Sequence, residues 1–327
     1  GLINYITESI SLLFDKSSVK IAFIDFRGMF LNELAIPLHG YFAEKKDLCI
    51  VTYHRPCILF FSTFGDKKNI IKSKVKYKIF FTGENINTKK YAQYKGNCTD
   101  FCSLSMGFDF CSTNENTPLG VIKDNYIRFP LWLFYFFNPF DSMDIIKNKL
   151  DAFKIKYKKS KFCALIASHD DTGIRTPLYE LISKVAPIDC PGKLFHNDNS
   201  LKELFVDDKA KYLQQYKFNI CPENSISPGY VTEKIFQALY SSCIPIYTGW
   251  SKDPEPGIIN PNIILWYDLT SDNMKLADEI SRLHSNDRLY KAFMEQDFFL
   301  DTAVDKIYHF LQEFIYRMQK IAASVDE

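Results

Sequence analysis

The chain has 327 residues, which is long enough for two domains that each bury a core. Its 40 Lys and Arg residues nearly balance 39 Asp and Glu residues, giving a formal net charge of +1, so the charge gives no reason to expect a nucleic-acid partner. Although 46% of the residues are hydrophobic, no apolar stretch reaches the length needed to cross a bilayer.

Short apolar runs bounded by turn residues predict strands in the first 140 residues. The runs lie at 19–26, 49–53, 57–61 and 75–81. The last of them ends at Thr82-Gly83, so Glu84 lies just past the carboxyl end of a strand. Open α/β sheets bind ligands at that edge, which makes Glu84 a candidate site residue. The apolar run Leu131–Phe137 is bounded by two prolines and is expected to be buried.

The pattern turns helical within a lysine-rich stretch at 141–160, where we place the boundary between two units, and strands and helices alternate again beyond it. Spacing predicts a helix over 142–153, a strand over 162–167 and a helix over 176–186. Strands that alternate with helices on both sides of this stretch indicate two α/β units with parallel sheets.

Residues 216–249 carry the strongest signal. They predict a strand ended by Pro222, a polar loop, a helix over 232–242 and an apolar strand over 243–247. Lys234 falls in the first helical turn, where the dipole disfavours a cation unless an anion binds beside it. A solvated surface lysine is the alternative on spacing alone.

Two further patterns leave alternatives open. Apolar residues recur at helical spacing from Ile307 to Ile321, which favours a packing helix over a helix lying on a membrane surface. The nine cysteines are scattered and show no paired zinc spacing. We expect reduced thiols; a disulfide within 98–111, formed in an oxidising compartment, is the alternative.

Several common site motifs are missing from the sequence. No G-x-G-x-x-G follows the first strand, and no Walker A, H-E-x-x-H or G-x-S-x-G motif occurs. The sequence also lacks a D-x-D metal clamp.

The ordered motif PENS…GYVTEKIF…CIPIYTG, at 222–249, resembles the donor-binding motif of the GDP-fucose-dependent α-1,3/4-fucosyltransferases of bacterial type. Other segments follow in the order of that family. They are Phe80–Asn85, which contains TGEN, then Phe108-Asp109, Arg128–Trp132 and Ile174-Arg175. The resemblance spans roughly residues 20–320 and is tightest over 216–249.

The resemblance implies a glycosyltransferase of the GT-B type with two facing Rossmann-like domains. Residues 1–145 would bind the acceptor and 160–300 would bind GDP-fucose. A helix in 301–327 would pack back across both domains.

The resemblance also assigns roles to the residues that match its motifs. Arg175 and Lys234 would hold the donor diphosphate, and Asn224 and Tyr230 would hydrogen-bond the phosphates or the sugar. Glu233 would contact the ribose or the positive charge that develops on fucose.

Two glutamates complete the expected site. Glu84 would act as the base that takes the proton of the acceptor hydroxyl. Glu223 would either touch the donor or order the loop that does.

The implied reaction is an inverting transfer of fucose from GDP-β-L-fucose to a hydroxyl, expected to be O3, of N-acetylglucosamine or glucose in an oligosaccharide. No metal or other cofactor would be required, with Mn²⁺ at most stimulatory. We expect a cytoplasmic enzyme and leave peripheral membrane association open. The alternatives are a transferase of the same fold that uses another nucleotide sugar, and a non-catalytic protein that binds glycans or nucleotides.

Overall fold

The computed structural model describes residues 19–24, 49–51, 55–111, 124–155 and 157–325. The chain forms two compact units, one made of Gly1–Asp141 with Tyr308–Glu327 and the other of Ser142–Ile307. Each unit contains a parallel sheet accompanied by helices, so the predicted α/β fold class with two parallel sheets is confirmed.

The first unit is built on a six-stranded sheet in which every described pairing is parallel. Its strands are β1 (Val19–Ile24), β2 (Cys49–Val51), β3 (Ile58–Phe61), β4 (Tyr77–Phe81), β5 (Leu104–Gly107) and β6 (Tyr126–Arg128). Their order across the sheet is β2-β1-β3-β4-β5-β6. The apolar runs therefore become strands close to the positions that the sequence predicts.

Aromatic side chains form much of the core of the first unit. Among the residues that the structure describes up to 141, the helical segments are α1 (Lys67–Lys72), a 3₁₀ turn (Lys89–Tyr94) and α2 (Trp132–Phe136). Phe81 at the end of β4 meets Phe134 edge-on, with ring centroids 4.8 Å apart. The apolar run 131–137, expected from the sequence to be buried, is buried except at Tyr135 and Phe136, which are half-buried.

The second unit is built on a five-stranded parallel sheet. Its strands are β7 (Lys161–Leu165), β8 (Ile188–Asp189), β9 (Tyr216–Ile220), β10 (Ile244–Tyr247) and β11 (Leu265–Trp266). Their order is β11-β10-β9-β7-β8, so the chain places β8 on one side of β7 and β9 on the other. The direction of strand succession thus reverses between β7 and β9, and such a switch point opens a crevice at the carboxyl ends of the two strands.

Seven helices accompany this sheet within the described part of the second unit. They are α3 (Met143–Ala152), α4 (Arg175–Ile182), α5 (Ser200–Glu203), α6 (Lys209–Leu213), α7 (Lys234–Tyr240), α8 (Met274–Ser285) and α9 (Asp287–Met294), with a 3₁₀ turn at Pro261–Ile263. Helix α7 begins at Lys234, two residues later than the sequence predicts.

The helix predicted near residue 307 is α10 (Ala303–Val325). Its apolar stripe is buried at Ile307, Leu311, Phe314 and Met318. Phe314 packs on Phe129 with ring centroids 5.2 Å apart, so the stripe contributes to the core of the first unit. Among the described helices, none combines the length and the apolar character needed to span a bilayer.

Candidate functional site

A cavity lies at the switch point of the second sheet. It measures about 460 Å³, counting the space open to solvent. Leu165 at the end of β7 and Ile220 at the end of β9 form part of its floor, and four charged residues line it, namely Arg175, Lys209, Glu233 and Lys234. The cavity therefore occupies the place where the topology predicts a ligand crevice.

Arg175 is the first residue of α4, and its guanidinium group is held on two sides. Nη1 donates to the carbonyl oxygen of His169 at 2.6 Å, and Nη2 donates to Oδ1 of Asn224 at 2.6 Å. The residue is only 6% exposed. Burial lowers the pKa of Arg175, while the nearby acids Asp170 and Glu223 oppose that change. The side chain is therefore a fixed, desolvated cation.

Asp170 accepts a hydrogen bond from the backbone of Arg175, and the sequence analysis did not predict it as a site residue. Its carboxylate accepts hydrogen bonds from the backbone N–H groups of Arg175 (2.9 Å) and Thr176 (2.8 Å) and from Thr176 Oγ1 (2.7 Å). Burial raises the pKa of Asp170, but these hydrogen bonds outweigh it and the net shift is downward. An acidic pair before a predicted helix start was the available signal.

Lys234 is the second cation of the cavity, and it is paired within the protein. Its Nζ lies 2.8 Å from Oγ1 of Thr232 and 3.3 Å from Oε2 of Glu223. The Lys234 side chain is 23% exposed, whereas that of Glu223 is fully buried. Glu223 thus lies beneath the loop rather than on its surface.

The remaining predicted donor residues lie near these two cations. Asn224 contacts Arg175 directly, and Tyr230, which is 2% exposed, lies within electrostatic range of Arg175. Glu233 precedes α7, lines the cavity and accepts a hydrogen bond from the backbone of Gln237 through its carbonyl oxygen. Of the predicted donor residues, Arg175, Glu233 and Lys234 thus line one charged cavity, and Asn224 and Glu223 contact two of them from outside its lining.

Glu84 lies in the first unit, just past the carboxyl end of β4. Thr82 fixes its backbone, because Oγ1 of Thr82 donates to the carbonyl oxygen of Glu84 at 2.8 Å and accepts from its N–H at 3.1 Å. A Cβ atom at Gly83, the residue before Glu84, would lie 2.9 Å from Cδ1 of Leu131, so a larger residue there would require the Leu131 side chain to move. The Glu84 side chain is half-buried.

Three polar residues that line the cavity, Asn219, Gln237 and Lys209, were not predicted as site residues from the sequence. Asn219 lies on β9, where the sequence predicted only a strand position. Gln237 lies one helical turn beyond Glu233, so the i,i+4 spacing on α7 offered a signal for it. Lys209 comes from α6, a separate helix, and only the tertiary structure brings it to the cavity.

The predictions for metal sites and for disulfides can be compared with the described residues. Over these ranges no group of three or more His, Cys, Asp and Glu side chains is arranged to hold a metal ion. Eight cysteines are unpaired in the structure, at positions 57, 98, 102, 111, 163, 190, 221 and 243.

Family models match both units of the chain. The model "Glycosyltransferase family 10 (fucosyltransferase) C-term" matches residues 155–312, and "Alpha-(1,3)-fucosyltransferase FucT N-terminal domain" matches residues 21–135. The chain belongs to the family 10 fucosyltransferases. The resemblance noted in the sequence is thereby confirmed, and the cavity at the switch point lies within the segment matched by the first model.

The chain is also similar in sequence to individual fucosyltransferases. The α-(1,3)-fucosyltransferase FucT of Helicobacter pylori is 25% identical over 281 residues, which are 76% of this chain and 54% of that protein. The chain thus spans about half the length of this relative and smaller shares of other curated relatives that it matches.

Solved structures of fucosyltransferases share the fold. A crystal structure of an α1,3-fucosyltransferase superposes with a TM-score of 0.63 at 21% identity, covering 94% of this chain and 90% of that one. A crystal structure of an α1,3-fucosyltransferase with GDP-fucose gives a TM-score of 0.58 at 20% identity, covering 94% and 92%.

Proposed function

We propose that this chain is an inverting α-1,3-fucosyltransferase that moves fucose from GDP-β-L-fucose to a hydroxyl group of N-acetylglucosamine or glucose in a glycan. The observation that carries the proposal is the convergence of Arg175 and Lys234 on one cavity at the switch point of the second sheet. The similarity to the H. pylori α-(1,3)-fucosyltransferase supports the choice of reaction.

The two cations are suited to a diphosphate. A guanidinium group can grip phosphate oxygens with paired donors, and an ammonium group acts as a point charge. Both are largely removed from solvent here, so their attraction for developing negative charge is screened less than at the surface. As the bond between fucose C1 and the β-phosphate oxygen breaks, Arg175 and Lys234 would stabilise the departing GDP. Glu233 would face the ribose or the sugar cation.

Glu84 would supply the base. Its carboxylate would accept the proton of the acceptor hydroxyl while that oxygen forms the new bond to C1 of fucose. A single displacement opposite the leaving group converts the β-linked donor into an α-fucoside. The double hydrogen bond between Thr82 and the Glu84 backbone supports this role, because it fixes the point from which the carboxylate extends.

A transfer assay tests the function directly. The protein is incubated with labelled GDP-fucose and glycans that end in N-acetylglucosamine or glucose, and the product is analysed by NMR. We expect free GDP and an α-fucoside at O3. A product that keeps the β configuration, or turnover with other nucleotide sugars but not GDP-fucose, would refute the proposal.

We also propose that transfer needs no metal ion, because two basic side chains can balance the diphosphate. Activity should persist in excess EDTA, with at most modest stimulation by Mn²⁺. Loss of activity on chelation that is restored by a divalent metal would contradict this prediction. A GDP-binding assay run in parallel would show whether the metal acts on donor binding or on turnover.

A further inference from the structure

The carboxylate of Glu223 is the most deeply buried charged group beside the cavity. Its exposure is 0%, and both oxygens are hydrogen-bonded. Oε1 accepts from the backbone N–H of Thr232 at 2.8 Å and from the hydroxyl of Tyr247 at 3.3 Å. Oε2 accepts from Oγ1 of Thr232 at 2.7 Å and from Nζ of Lys234 at 3.3 Å. A buried carboxylate is stable only with such hydrogen bonds and a counter-charge, and Lys234 provides the charge.

The next residue, Asn224, holds the second cation, Arg175, in a similar way. Its Oδ1 accepts from Nη2 of Arg175, and its carbonyl oxygen accepts from Oγ1 of Thr172 at 2.9 Å. Two successive side chains of one loop therefore each hold one cation of the cavity. This matters because Arg175 and Lys234 repel each other.

We propose that Glu223 is a positioning residue that acts through Lys234: its buried carboxylate fixes the ammonium group at the cavity and serves as its permanent counter-ion. The proposal rests on the proposed function, because it assigns Lys234 to a diphosphate. It also assigns Glu223 away from direct donor contact and explains why a glutamate lies beneath a site for an anion.

The charges around Lys234 show what Glu223 contributes. Burial lowers the pKa of Lys234, but Glu223 and then Glu233 raise it, and Arg175 lowers it slightly. The net result is a pKa above the usual lysine value. Cys221 lies within electrostatic range of Lys234, but burial keeps the pKa of its thiol well above the usual range, so it adds no charge beside the ammonium group. Removing the charge of Glu223 would therefore lower the pKa of Lys234, so that the ammonium group loses its proton at a lower pH.

GDP binding measured by calorimetry from neutral to alkaline pH tests this role in the whole chain. In Glu223→Gln, affinity for GDP should begin to fall at a lower pH than in the wild type. Beyond that point it should fall about tenfold per pH unit, the slope for loss of one proton. Tyr247→Phe is the matched control, since it removes a hydrogen bond to the same carboxylate and keeps the charge. Its pH profile should follow the wild type.

The alternative outcomes separate the hypotheses. A uniform loss of GDP affinity in Glu223→Gln at every pH would show a merely structural role and overturn the proposal. Failure of the wild-type protein to bind GDP at any pH would instead refute the proposed function.

A second experiment needs no GDP, because it compares the thermal stabilities of two variants. Lys234→Met leaves a buried, unpaired carboxylate, whereas Glu223→Gln combined with Lys234→Met removes both charges. The double variant should therefore have a higher Tm than Lys234→Met alone. Two results would refute the charge pairing between Glu223 and Lys234. One is a Tm for Lys234→Met equal to that of the wild type, and the other is a Tm for the double variant below that of Lys234→Met.

Discussion

At the scale of single residues, the cations of the cavity give the sharpest prediction. Arg175→Ala and Lys234→Ala should each lower kcat/KM for GDP-fucose by about 10²-fold or more, which is about 2.7 kcal/mol of transition-state stabilisation. Initial-rate kinetics with GDP-fucose would measure the loss. The exposed Lys275→Ala on α8 is a matched control and should behave like the wild type. Wild-type kinetics in either cavity variant would remove that residue from the donor site.

Glu84 allows binding to be separated from chemistry. Glu84→Gln keeps the size of the side chain but cannot accept a proton, so turnover should fall at least about 10²-fold. The affinity for GDP-fucose should change little, because the predicted donor residues belong to the second unit. Calorimetry and steady-state rates would give the two quantities. The exposed Glu203→Gln serves as a control, and near-normal turnover in Glu84→Gln would exclude this base.

At the scale of elements, Asp170 makes the stability contributed by the start of α4 depend on pH. Its pKa is lowered in the folded state, so its contribution to the free energy of unfolding is present above the unfolded pKa of about 3.8. The contribution is lost as the pH falls through the folded pKa. Asn has one acceptor oxygen where both oxygens of Asp170 accept hydrogen bonds, and it carries no charge. Asp170→Asn should thus cost about 1 kcal/mol at neutral pH and progressively less as the solution becomes strongly acidic. Urea unfolding of both proteins across this range measures the difference, and a cost independent of pH would contradict it.

The same elements show how far sequence reasoning reaches. Alternating apolar runs ended by Pro222 or by Thr82-Gly83 located strands, because side-chain periodicity and backbone restrictions are local. The order β11-β10-β9-β7-β8 is set by pairings between distant segments, so the switch point emerges only in the folded chain. Family resemblance supplied the predicted donor residues, yet it left the position of Glu223 in the site undecided. Its burial follows from contacts with residues up to 24 positions away.

At the scale of the whole molecule, the cysteines offer a simple measurement. Most of the described thiols are buried, where a cysteine behaves as a small apolar residue. Burial raises the pKa of Cys190 and of Cys243 to about 11, so these thiols stay protonated and slow to react near neutral pH. Thiol counting in denaturant without reductant should approach nine. A shortfall of two that maps to Cys98, Cys102 or Cys111 would instead indicate a disulfide and an oxidising compartment.

The discontinuity of the first unit has a consequence for protein synthesis. Residues 308–327 complete the unit that begins the chain: Phe314 packs on Phe129, and Arg317 donates to the carbonyl oxygen of Asp124. A ribosome releases the contiguous second unit before it releases these residues, although domains usually fold in the order of synthesis. A chain that ends before residue 308 would therefore contain the whole second unit, while the apolar surface of the first unit that packs on α10 stays uncovered. When such a chain is held on ribosomes by a linker long enough to bring residue 307 out of the exit tunnel, its second unit should resist protease and its first unit should still bind chaperones.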